Sequence, residues 1–239
     1  MTESPSKTKG IVAIDGPAGC GKSTVAQMLA RRLGYIYVDS GAMYRAVAYR
    51  ASQAGLDAKQ DTEEIGNLAG ELSFEFQQVG DEQHLFVDGE DVEKAIRSVE
   101  VGNLSSPVSA IPKVREHLVA AQRQMAAPGG VIMEGRDIGT VVLPNADLKV
   151  FLTATAGERA RRRWRQLQEQ GIIEDYEQVL RDQLERDKRD SSRAVAPLRP
   201  AEDARELATD GLTAQQVVET IVKWLQETLS QGKDDAQCA

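Results

Sequence analysis

One stretch constrains this chain more than any other: Gly16-Pro17-Ala18-Gly19-Cys20-Gly21-Lys22-Ser23, which spells G-x-x-x-x-G-K-[ST]. A short apolar run, Ile11-Val12-Ala13-Ile14, precedes it and reads as a buried parallel strand. After it, Val25, Met28, Leu29 and Leu33 recur at helical spacing, and Gly34 is placed to stop that helix. Strand, glycine loop and helix in that order form the context in which this pattern wraps a phosphate. Glycines at 16, 19 and 21 let the backbone close around an anion, and the loop N–H groups with the positive helix end hold it. Lys22 reaches toward outer phosphates, and Ser23 offers a hydroxyl to Mg²⁺. Such a P-loop serves GTPases, transport ATPases and kinases alike. The chain has no Asn-Lys-x-Asp guanine-reading motif, which lowers the GTPase reading.

The rest of the chain alternates short apolar strands with helices. Tyr35–Val38, Val131–Met133 and Leu148–Leu152 repeat the strand signal, with Glu206–Ala208 weaker. This implies right-handed βαβ units and a parallel sheet, whose ligands bind beyond the carboxyl ends of the strands. Two segments occupy such ends. Asp39-Ser40-Gly41-Ala42-Met43-Tyr44-Arg45 offers Ser40 to a small acceptor and Arg45 to a phosphate; helix capping with a solvated arginine is the plain alternative. Glu134-Gly135-Arg136-Asp137-Ile138-Gly139 offers a bidentate grip through Arg136, an acceptor group in Asp137, and Glu134 near a metal; a structural Arg–Asp pair is the alternative. Residues 63–101 read differently. Phe74, Phe76, Leu85 and Val87 alternate with polar residues around a Val-Gly-Asp-Glu turn, predicting an inserted antiparallel hairpin. Thr213 and Gln216 form a capping box ahead of a last helix striped by Val217, Ile221, Trp224 and Leu225.

Net charge is −8, which argues against bulk attraction to nucleic acid or anionic membrane. Arginines nevertheless crowd residues 159–199. Arg159, Arg162 and Arg163 share a helix face at i, i+3, i+4, and Arg186, Asp190 and Arg193 do so at i, i+4, i+7 if their helix continues. Between the two groups, Gly171–Tyr176 reads as a connector, so the pair is either a short lid over phosphates or a salt-bridged solvated hairpin. Cys20 and Cys238 suggest neither a metal site nor a disulfide. His84 and His117 do not look catalytic, and Trp164 and Trp224 look like packing residues. No apolar run has the length of a membrane span and the polar N-terminus lacks a secretory signal, so a cytoplasmic location is expected.

Taken together, IDGPAGCGKST, DSGAMYRA, NLSSPVSAIPKVRE, EGRDIGTVV and ERDKRDSSRAVAPL resemble the bacterial cytidylate kinase family, in order over residues 11–199. The resemblance implies an α/β P-loop fold: a central five-stranded parallel sheet, an inserted antiparallel subdomain and a short helical lid. Placed on this chain, the kinase domain spans about 10–229, with core at 10–62 and 102–229, insert at 63–101 and lid at 159–195; 1–9 and 230–239 are expected to be disordered tails. It also implies ATP with Mg²⁺ as donor, CMP or dCMP as acceptor, and a monomer. Gly16 to Thr24 would bind ATP. Ser40, Arg45, Ser106, Arg115, Arg136, Asp137, Arg186, Asp190 and Arg193 would bind the acceptor, with Asp190 at the sugar hydroxyls. Lys22, Arg136, Arg159, Arg163 and Arg189 would offset charge on the transferred phosphoryl group. Another monophosphate (UMP or AMP) as acceptor, or a nucleotide-binding regulator without turnover, are the rival readings.

Overall fold

In a computed structural model, residues 9–237 are described except Asp81 and Ala194, with side chains described up to Ser230. Three strands form the centre: β1 (Ile11–Asp15), and the strands Val131–Gly135 and Leu148–Thr153 that pair with it in parallel on either side. Their residues are buried almost without interruption, as expected of a sheet covered on both faces. In chain order the elements are β1, α1 (Lys22–Leu33), β2 (Ile36–Asp39), α2 (Ser40–Gln53), α3 (Thr62–Glu71), β3 (Phe74–Val79), β4 (Glu82–Val87), β5 (Glu90–Asp91), α4 (Val99–Val108), α5 (Pro112–Ala126), β6 (Val131–Gly135), β7 (Leu148–Thr153), α6 (Ala156–Glu169), α7 (Tyr176–Ser191), β8 (Arg205–Ala208) and α8 (Ala214–Gln237). A 3₁₀ turn at Ala95–Arg97 and a π-helical turn at Ile138–Val142 complete the order. The five-stranded sheet runs β2-β6-β1-β7-β8, and β3-β4-β5 form a separate three-stranded sheet.

The register of the central strands decides what lies at their carboxyl ends. Ile14 sits opposite Glu134 and Asp15 opposite Gly135. The glycine loop at Gly16 and the turn at Arg136 therefore leave adjacent strands at the same level. Gly34, in the left-handed region at φ 64°, ends α1 and returns its N–H to Ala30.

The chain divides into two compact units, one made of the chain up to Ile36 and from Pro128 onward, the other of Tyr37–Ala127. The second unit carries the hairpin expected from the alternation. Phe74 pairs with Val87 and Phe76 with Leu85, and Leu85 and Val87 are buried. A third strand, β5, was not expected. It has two exposed residues, too short to show a period, and is turned into place through Asp88 and Gly89 at positive φ. The helices α3 and α5 approach closely because α3 carries Gly66 and Gly70. A Cβ at Gly66 would come within 2.7 Å of the Lys113 side chain, and one at Gly70 within 2.8 Å of the His117 ring.

In the first unit, the capping box forms as the sequence predicts: Thr213 N–H donates to Gln216 Oε1 and Gln216 N–H to Thr213 Oγ1. Val217, Val218, Ile221 and Leu225 of α8 are buried. The α8 backbone is helical to Gln237, past residue 230 where a tail was expected to begin, and no proline interrupts its hydrogen-bond ladder. Residues 1–8 and 238–239 lie outside the described residues.

Candidate active site

The glycine loop leaves β1 with Gly16, Gly19 and Gly21 all at positive φ (148°, 77° and 98°). At Gly16 space is as decisive as φ, since a Cβ there would lie 2.1 Å from the Leu152 carbonyl oxygen. Lys22 opens α1 and is buried; its Nζ donates to the Pro17 carbonyl at 2.8 Å. Burial lowers its pKa, and the Arg136 and then the Arg186 cations lower it further, while Cys20 and Glu134 act the other way. A buried lysine in the field of two further cations is a site at which an added polyanion is favoured. Ser23 and Thr24 are exposed at the start of α1.

Beside the loop, the turn after β6 is fixed by Asp15. Its carboxylate accepts from Ile138 N–H at 2.8 Å and Gly139 N–H at 2.7 Å. Burial raises the Asp15 pKa to about 6; the two backbone donors oppose this, Asp137 adds to it and Lys22 subtracts. Asp15 was not singled out in the sequence, although its place directly before Gly16 was a usable signal. Arg136 donates through Nε to Asp190 at 3.0 Å and through Nη1 to the Gly135 carbonyl at 3.2 Å. Arg193 donates to the other Asp190 oxygen. Burial alone would raise the Asp190 pKa, but Arg136 and Arg193 outweigh it and hold the carboxyl below its usual range. The two sequence segments GRDIGT and RDKRDSSR thus join through one buried carboxylate. Asp190 here aligns two arginines, and about two of its four lone-pair sites remain for a sugar hydroxyl.

The arginines of α6 and α7 do not act as a single face. Arg159 is buried, with Nε on the Ala154 carbonyl, Nη1 on the Ala18 carbonyl and a bidentate pair with Asp187 at 2.9 and 2.6 Å. Arg162 bonds the Cys20 and Thr209 carbonyls and Glu158. Arg163 and Arg189 are exposed and, among the described residues, neither side chain forms an ion pair or hydrogen bond. Arg163, one turn beyond Arg159, does not share its neighbour's loop contacts. Helical phase groups these residues, but only the packed surface selects which of them reach the loop. Arg186 is exposed at its residue level, and α7 ends at Ser191, so Arg193 stands beyond the helix.

The second unit holds the other sequence-predicted residues. Asp39 caps α2 by accepting from Ala42 N–H, and it pairs with Arg45 at 2.9 Å and with Arg97 at 3.1 Å. Burial would raise the Asp39 pKa, yet Arg45 and Arg97 bring it down to about 2. The cap read from the sequence is present, but Arg45 is paired with Asp39 and not solvated as that alternative had it. Arg45 keeps spare donors, because its buried Nε has no partner among the described residues. Arg97 was missed: it follows Ala95-Ile96 at no diagnostic spacing, and only the fold brings it to Asp39. Ser40 and Arg115 are buried, with the Arg115 guanidinium 5.8 Å from the Tyr44 ring centre, and Ser106 is half-buried on α4.

Trp164 meets Tyr176 edge-to-face and bonds the Glu174 carbonyl, a packing role. His84 is tied to Asp91 in the small sheet. Among the described residues, no group of three or more His, Cys, Asp or Glu forms a metal cage, and no helix is long and apolar enough to cross a membrane.

A family model described as Cytidylate kinase matches residues 12–227. A curated cytidylate kinase of Limosilactobacillus fermentum is 51% identical over 225 residues, covering 93% of this chain and 99% of that protein. One of Desulfitobacterium hafniense is 49% identical, covering 92% and 94%. Among solved structures, an uncharacterized protein from Eubacterium ventriosum superposes with a TM-score of 0.50 at 12% identity over 91% of this chain, a likeness of fold.

Proposed function

The chain belongs to the cytidylate kinase family, and from that premise we infer that it transfers the γ-phosphate of ATP to CMP or dCMP, giving ADP and CDP or dCDP. The observation that carries the reading is the buried Lys22 at the end of a glycine loop, where it feels the charge of Arg136 and, more weakly, of Arg186. Three cations of this kind suit the charge spread over a transferred phosphoryl group. The acceptor is a phosphate oxygen, already anionic, so attack in line requires no strong general base. On binding, Lys22 would leave the Pro17 carbonyl for the outer phosphates. Mg²⁺ would accompany ATP and supply charge neutralisation for its phosphates. Ser23, exposed at the start of α1, fits as its protein ligand, since an ion carried by phosphates needs no cage of carboxylates.

On the acceptor side, Ser40, Arg45, Ser106, Arg115, Arg136, Asp137, Arg186, Asp190 and Arg193 take the nucleotide, and Arg97 joins Arg45 as a phosphate partner through Asp39. Residues 159–195 act as the lid, in which Arg159 is committed to Asp187 and the loop. The enzyme is read as a cytoplasmic monomer of pyrimidine nucleotide metabolism, which light scattering on the purified protein checks for oligomeric state. The direct test is ADP release with ATP and Mg²⁺ against CMP, dCMP, UMP, AMP and GMP in parallel. Turnover confined to CMP and dCMP is expected. Turnover with another monophosphate would replace the acceptor, and none with any would favour a binding protein.

A further inference from the structure

A loop that binds phosphate through N–H groups must turn its carbonyls away, and those carbonyls need donors behind them. In a trans peptide the C=O of one residue and the N–H of the next point in opposite directions. Fixing the Ala18 carbonyl therefore aims the Gly19 N–H, and fixing the Cys20 carbonyl aims the Gly21 N–H. Both glycines are at positive φ and have no side chain to lock these planes from within. The locks are external. The Ala18 carbonyl accepts from Gln183 Nε2 at 2.9 Å and Arg159 Nη1 at 3.2 Å. The Cys20 carbonyl accepts from Thr209 Oγ1 at 3.0 Å and Arg162 Nη1 at 3.3 Å. Thr209 Oγ1 in turn accepts from Arg162 Nη1 at 3.0 Å, which directs its own proton at Cys20.

We propose that Gln183 and Thr209 are positioning residues for ATP, holding the Ala18 and Cys20 carbonyls outward so that the Gly19 and Gly21 amides face the phosphates. Each is buried, at 7% and 3% exposure, and each is a neutral donor beside an arginine. A carbonyl only accepts, so the amide nitrogen of Gln183 and the hydroxyl proton of Thr209 are the groups required. The role differs from that of Lys22, whose hold on Pro17 is released when phosphate arrives. Gln183 and Thr209 keep their hold, because they approach the carbonyl edge of the peptide planes. Gln183 stands on α7, one turn before the Asp187 that orients Arg159, so the same helix face also fixes the arginine that shares Ala18. The inference rests on the reading of Gly16–Ser23 as the ATP cradle.

The test compares Gln183→Met, Thr209→Val and Thr209→Ser with the unmodified protein. ATP affinity is measured by calorimetry, with KM for ATP, KM for CMP, kcat and Tm alongside. Loss of one hydrogen bond to an aligned peptide is expected to weaken ATP binding about 3- to 10-fold in Gln183→Met and Thr209→Val. KM for CMP, kcat at saturating ATP and Tm should stay close to the starting values, and Thr209→Ser should restore ATP affinity. ATP binding unchanged in both donor-less variants overturns the proposal. So does a parallel rise of both KM values with a fall in Tm, which would mean general loosening. If the unmodified protein binds no ATP, the nucleotide reading falls and takes this inference with it; intact binding with silent variants removes the inference alone.

Discussion

At the scale of single residues, burial sets the chemistry. Lys22 is kept close to the loop by Pro17 and has its ammonium destabilised by burial and by Arg136, so it is poised to exchange a carbonyl for phosphate. Lys22→Ala is expected to lower kcat by at least ~100-fold, the scale for removing one aligned charge stabiliser, as measured by ADP release at saturating substrates. Near-normal turnover would contradict its place in the cradle. Asp15 makes a different prediction. Its folded pKa, about 6, lies above the ordinary 3.8, so ionisation costs stability. The native state is favoured by this group at low pH, and that advantage is lost as pH rises through about 6, by roughly 3 kcal/mol in all. Urea unfolding of Asp15→Asn should lack this fall between about pH 4 and pH 7. The slope is the readout, because asparagine also gives up one backbone acceptor at every pH. A slope identical to that of the unmodified protein would remove the assignment.

At the scale of elements, periodicity predicts where helices lie but not every contact of their faces. Val25 and Leu29 of α1 and Val217, Ile221 and Leu225 of α8 are buried as their spacing requires, with Trp224 half-buried. On α6 the same rule groups Arg159, Arg162 and Arg163, and only the first two bind loop carbonyls. The helix α5 carries an unexpected fault. Gln122 is fully buried, and neither its amide oxygen nor its nitrogen has a partner among the described residues. Leaving such groups unpaired costs about 1–3 kcal/mol, so Gln122→Met, close in shape and apolar, should stabilise the protein by a comparable amount. Thermal unfolding checks this; a lower Tm would show that the amide is bonded in solution.

At the scale of the whole molecule, the two units carry different parts of the proposed chemistry: the glycine loop and the Arg136–Asp190–Arg193 chain in one, Asp39 with Arg45 and Arg97 in the other. A ligand bound only by the folded state stabilises it by mass action. Added singly at about 100 times its Kd, Mg²⁺–ATP or CMP should each contribute about 2.7 kcal/mol. Differential scanning calorimetry should show a rise in Tm with either. A protein stabilised by ATP but indifferent to CMP would fit a nucleotide sensor and not a cytidylate kinase.

What the sequence determined by itself was local. The spacing of Gly16, Gly19, Gly21 and Lys22 is legible because positive φ and a lysine at the helix start are requirements of neighbouring residues on one another. The strand runs, the Phe74–Val87 hairpin and the Thr213–Gln216 cap are legible for the same reason. The tertiary structure decided which distant groups complete the loop. Thr209 reaches Cys20 across 189 positions of chain and Gln183 reaches Ala18 across 165, distances over which no periodicity survives. Arg97 finds Asp39 across 58 positions in the same way. Those partnerships depend on strand register and helix packing, because a buried carbonyl or carboxylate takes whichever donor the fold delivers to it.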